Sequence, residues 1–81
     1  MNINEAERII SETEDDFLQE NVIMRGLQIL SEYEKDVRCG FEHDIIFASG
    51  FRETAPRMSR EDILQMARLG WFCQSGCWAH Y

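Results

Sequence analysis

Hydrophobic residues recur at helical spacing from Asp16 to Glu34, the longest such run in the chain. At 100° per residue, Leu18, Val22, Ile23, Ile29, Leu30 and Tyr33 occupy one broad arc, which Phe17, Met24 and Leu27 extend. Only Asn21, Arg25, Gln28 and Glu32 form a clean polar strip. An arc that wide calls for cover from two sides, by the chain itself or by another molecule. Gly26 falls inside it, where glycine costs about 1 kcal/mol relative to alanine. Close approach of a second backbone is the expected compensation.

Shorter patterns flank this stretch. Residues 1 to 13 predict a first helix, with Asn2 or Asn4 as N-cap and Ile3, Ala6, Ile9 and Ile10 at helical spacing. The charged run Ser11 to Asp16 joins it to the long helix, with Thr13 or Asp15 available as a cap. After Glu34 the period changes to two: on an extended Phe41 to Ser49, the residues Phe41, His43, Ile45 and Phe47 share a face, predicting one half-buried strand. Gly50 to Arg57 reads as a loop held open by Pro56. Ser59 caps a third helix, with Asp62 in the place of the usual Glu or Gln of a capping box. Gly70 ends that helix, and Arg68 complements its dipole. The tail from Trp71 predicts a hairpin with a three-residue Gln74-Ser75-Gly76 loop, which sets Cys73 opposite Cys77, Trp71 opposite Ala79, and Phe72 beside Trp78. The expected fold is a single α+β domain over residues 1 to 81, its helices packed on one face of an antiparallel sheet of about three strands. Two amphipathic helices cover one sheet face more easily than two, so apolar surface is left over around Leu27 and the closing aromatics.

Composition narrows the function classes. The chain has 81 residues, 44% of them hydrophobic and nine of them aromatic, which supports a packed but modest core. Its net charge of −7 is uneven: residues 1 to 36 hold ten acids and three bases, whereas residues 37 to 81 hold five of each. That excess repels phosphate backbones and favours a protein partner with a basic surface over direct nucleic-acid binding. No run approaches the roughly 18 apolar residues of a membrane span, and MNINEAER lacks the features of a signal peptide, so a cytoplasmic protein is expected. Three cysteines without framework spacing fit reduced thiols.

Three constellations suggest chemistry and each has a plainer reading. Cys39, His43, Cys73, Cys77 and His80 supply zinc-type donors, but their spacing departs from that of zinc knuckles. A Cys73–Cys77 bridge across directly opposed strand positions is strained. Glu42, His43 and Asp44 alternate between strand faces and so do not converge on one proton. Cys39 and His43 share a face without a third orienting group. Arg52, Arg57 and Arg60 stand among Glu53, Glu61 and Asp62, which reads as a solvated mixed surface. No catalytic residues, metal site or cofactor are expected.

The phrases EHDIIFASG at Glu42 to Gly50, SREDILQMARLGWF at Ser59 to Phe72 and CWAHY at Cys77 to Tyr81 resemble a recurrent type of small bacteriophage protein. Such proteins have a helical lead, an "EHD" strand, a helix ending in L-G-W and a terminal aromatic strand. The resemblance covers about half of the chain and implies a phage or prophage origin. The functional expectation is a non-catalytic, phage-encoded inhibitor of a host defence or regulatory protein, of the anti-CRISPR kind. Its acids Glu5, Glu12, Glu14, Asp15, Asp16 and Glu20 would meet a basic partner, with Phe72 and Trp78 as exposed aromatic anchors. A self-associating phage accessory protein (a homodimer) and a small zinc protein are the alternatives.

Overall fold

The computed structural model describes residues 2–14, 21–35, 37, 40–42 and 44–81. Helix α1 spans Ile3–Glu12; Asn2 caps it by accepting from the Glu5 amide at 2.7 Å. Ala6 and Ile9 are its buried positions, packed mainly towards the third long helix. Helix α2, Val22–Ser31, is shorter than the periodicity predicts. Asn21 stands in the left-handed region at φ 56°, a conformation that asparagine tolerates and that no α-helix can run through. The part of the long-helix expectation before Asn21 falls on residues 15–20, outside the described residues, as do Asp15, Asp16 and Glu20.

The expected strand is a hairpin. Strands β1, Gly40–Glu42, and β2, Ile45–Gly50, pair antiparallel with Glu42 opposite Ile45. Alternation persists through a two-residue connection, and an unpunctuated period of two cannot show where a strand reverses. The Gly50–Arg57 loop is also corrected: Phe51–Thr54 forms a one-turn helix α3, and Ala55–Arg57 continues as a 3-10 turn. Pro56 sits at the start of that turn, where its missing N–H costs nothing. The Thr54 hydroxyl donates to the Gly50 carbonyl at 2.8 Å and ties α3 to the strand before it.

Helix α4, Arg60–Arg68, follows the expected signals at both ends. The Ser59 hydroxyl accepts from the Asp62 amide at 3.1 Å. The return arm of the capping box is relayed through another element, because the Tyr33 hydroxyl donates to the Asp62 carboxylate and accepts from the Ser59 amide at 3.4 Å. Gly70, at φ 89°, closes the helix in a Schellman arrangement in which its amide bonds Ala67 O and the Trp71 amide bonds Met66 O, both at 3.0 Å.

Strands β3, Phe72–Gln74, and β4, Cys77–His80, complete a four-stranded antiparallel sheet of order β1-β2-β4-β3. The hairpin loop has two residues, Ser75 and Gly76, with φ 55° and 78°, the pair of positive values that a type I′ turn requires. The register therefore differs from the expected one. Cys73 lies opposite Trp78 and Gln74 opposite Cys77, so Cys73 and Cys77 occupy opposite faces.

The core lies between the helices and one face of the sheet. Ala48 of β2 and Trp78 of β4 contribute from the sheet; Leu30, Phe51, Ile63, Met66 and Leu69 contribute from the helical layer. Trp78 is fully enclosed, its ring 4.8 Å from that of Phe51 and its indole N–H donating to the Thr54 hydroxyl at 2.9 Å. Trp71 locks α2 onto this body. Its indole N–H donates to Val22 O at 3.1 Å, and a Cβ added to Gly26 would fall 2.1 Å from that nitrogen. The glycine on the apolar arc thus admits an indole ring rather than a second backbone. Leu27 packs half-buried against the core, leaving Met24, 59% exposed, as the large apolar group that α2 shows to solvent.

Candidate protein-binding surface

The closing hairpin separates its aromatic side chains by face. Trp78 points into the core, and the expectation that it anchors a partner is corrected: a fully buried indole cannot meet another molecule without unfolding its own. Phe72 lies on the opposite face, half-buried. There the register sets Phe47, Ala79 and Phe72 side by side across β2, β4 and β3. The ring of Tyr81, 75% exposed, lies 5.0 Å from that of Phe72. The β2, β3 and β4 positions aligned with this row are Ile45, Phe47, Phe72, Gln74, Cys77 and Ala79, all without formal charge. The β1 position opposite Ile45 is Glu42, so an aromatic row bordered by a carboxylate position lies on this face, a contrast of the kind found at interface centres and rims.

Phe72 also forms one wall of a groove of about 230 Å3 between α1 and β3, together with Glu7, Ile10, Ser11 and Cys73. Helical spacing puts Glu7 and Ile10 on the same flank of α1, and the Ser11 hydroxyl donates back to Arg8 O at 3.0 Å. Burial pushes the Cys73 thiol above its ordinary pKa, and the nearby Glu7 charge adds to that rise. The thiol is therefore held protonated, the opposite of an activated nucleophile.

Of the sequence-predicted acids, Asp15, Asp16 and Glu20 lie outside the described residues, and the described ones do not stand beside Phe72. Glu5, Glu12 and Glu14 are exposed, but Glu5 and Glu12 lie on the flank of α1 away from the groove, and Glu14 follows the helix end. The carboxylate that does stand beside Phe72 is Glu7, which charge counting alone did not single out. The signal was available in the seven-residue spacing of Ile3 and Ile10, which marks a flank that Glu7 shares.

A second cleft of about 410 Å3 lies between α2 and α4, lined by Arg25, Gln28, Ile29, Glu32, Asp62 and Gln65. It is polar and mixed in sign. Its Asp62 carboxylate accepts from the Tyr33 hydroxyl, whose pKa is raised first by burial and next by that carboxylate.

The described zinc-type donors do not converge. Cys73 and Cys77 face apart, and both ring nitrogens of His80 approach main-chain oxygens, Nδ1 that of Tyr81 at 2.7 Å and Nε2 that of Leu69 at 2.8 Å. A neutral imidazole donates through one of these nitrogens, and the nitrogen that does so has no lone pair for a metal. Cys39 and His43 fall outside the described residues, and among the described residues no three His, Cys, Asp or Glu side chains come together as a metal-binding group. Among them, too, no helix is long and apolar enough to cross a membrane. No family model matches the chain, and neither a curated protein nor a solved structure is significantly similar to it.

Proposed function

We propose that this chain is a non-catalytic protein-binding module that docks a basic partner through the aromatic sheet face around Phe72 and Tyr81, with the Glu7 carboxylate beside Phe72 as the charge that meets it. The observation that carries the reading is the placement of Tyr81 and Phe72, a stacked aromatic pair on the sheet face turned away from the helical core. Interfaces take most of their energy from a few such aromatic anchors, while surrounding charge sets the association rate and its salt dependence. The resemblance to small phage proteins makes a host regulatory or defence protein in the bacterial cytoplasm the first partner class to test, with inhibition as the outcome of docking.

Affinity capture from bacterial host lysate, with the wild-type chain and a Phe72→Ser, Tyr81→Ser double variant as parallel baits, tests this. A protein retained by the wild type, eluted by rising salt and lost with the double variant supports the reading. Equal retention by both baits contradicts it. The same sheet face carries self-association as the second reading, since Phe72 and the exposed Tyr81 would be covered by their own copies across a two-fold axis. Light scattering separates the two: a wild-type dimer that the double variant abolishes assigns the face to a second copy.

A further inference from the structure

The groove between α1 and β3 has a more specific chemistry than the sheet face beside it. Its walls are Ile10 and the Phe72 ring, and its polar groups are the Glu7 carboxylate, the Ser11 hydroxyl and the Cys73 thiol. The Ser11 proton is committed to Arg8 O, so the hydroxyl offers its oxygen as an acceptor. Burial first and the Glu7 carboxylate next raise the Cys73 pKa, in keeping with a carboxylate close to the groove wall. At about 230 Å3 the groove falls below the ~300 Å3 at which small-molecule sites begin, and suits a single long side chain.

We propose that this groove accepts an arginine side chain of a basic partner, with the guanidinium on the Glu7 carboxylate and Ser11 oxygen and the stem and planar head against Ile10 and Phe72. Guanidinium is the cation that fits. It is planar, weakly hydrated, stacks on aromatic faces and presents several donors to a set of acceptors, whereas an ammonium carries its water into apolar walls at greater cost. The inference rests on the reading of a basic protein partner and names the residue such a partner must carry.

The test uses the full chain, N-acetyl-arginine methylamide as the probe, and its lysine and citrulline counterparts as controls. Amide shifts in nuclear magnetic resonance should centre on Glu7, Ile10, Ser11, Phe72 and Cys73 with the arginine probe and be absent with citrulline. Glu7→Gln should weaken the probe up to about fivefold, the effect of removing the charge from an exposed ion pair while an acceptor oxygen stays in place. Occupation should also slow alkylation of Cys73 but not of Cys77, read peptide by peptide. Equal responses to arginine and lysine, shifts spread over Glu5 and Glu12, or an unchanged response in Glu7→Gln would each overturn the assignment. No partner is present in this experiment, so the groove can fail while lysate capture succeeds, and capture can fail while the groove binds its probe.

Discussion

Trp78 and Phe72 belong to facing strands of one short hairpin, six positions apart in sequence, yet they lead opposite lives. Trp78 is enclosed by Phe51 and Thr54, with its only polar atom satisfied by the Thr54 hydroxyl. Phe72 lies half-buried on the other face, with the open ring of Tyr81 as its neighbour. The difference arises from the layering: Trp78 faces the helical layer that encloses it, whereas Phe72 points to the other side of the sheet, where its described neighbours are Tyr81 and the edge of α1. Aromatic content by itself therefore does not tell a structural anchor from a docking one; the parity of each residue in the hairpin register does.

Substitutions across the two faces should show that contrast as a gradient of stability. Trp78→Ala should have the largest effect, a loss of about 3 to 5 kcal/mol for a fully buried ring, seen as a collapse of the thermal or urea midpoint. Gly26→Ala comes next. Helix propensity alone would make it stabilising by about 1 kcal/mol, but its Cβ would fall on the Trp71 indole, so a net loss of about 1 to 3 kcal/mol is expected from overpacking. A stabilised Gly26→Ala would show that Trp71 does not clamp α2. Tyr33→Phe should cost about 1 kcal/mol by cutting the relay between Ser59 and Asp62. The smallest effect belongs to the outer face, where Tyr81→Ser, at a side chain 75% exposed, should move stability by less than about 0.5 kcal/mol while weakening partner binding.

Titration sharpens the same relay. Because Tyr33 has its folded pKa raised above the ordinary 10.0, its neutral form is the one the fold favours. The stability it contributes is complete below about pH 10 and is lost as pH rises through the raised value. In a Tyr81→Phe variant, where Tyr33 is the sole remaining tyrosine, the tyrosinate absorbance should rise with a midpoint above 10.0. A midpoint below it would contradict the burial and the Asp62 contact together.

Much of this architecture is legible in the sequence. The α+β class, the Ser59 cap, the Gly70 stop and the extent of α4 follow from local chemistry that acts within a few residues, and the structure reproduces each. The errors occur where a local pattern is compatible with two backbones. Alternation around His43 reads the same in one strand as in a hairpin, and a Ser75-Gly76 turn differs from a three-residue loop by a single left-handed residue, yet that residue reverses which face Cys77 takes. Asn21 sets the start of α2 by its left-handed conformation and not by polarity, which periodicity does not register. At the candidate site, Phe72 was legible as an aromatic on a terminal strand. Trp78 was misplaced for lack of the register, and Glu7 was missed because charge was counted along the chain instead of around α1.

The most direct test of a docking face is the paired capture experiment with the wild-type chain and the Phe72→Ser, Tyr81→Ser variant at matched thermal midpoints. The account predicts a salt-sensitive protein partner held by the first and released by the second with no loss of fold. A partner retained equally by both baits, or a wild-type chain that stays monomeric and retains nothing the variant does not, would contradict it.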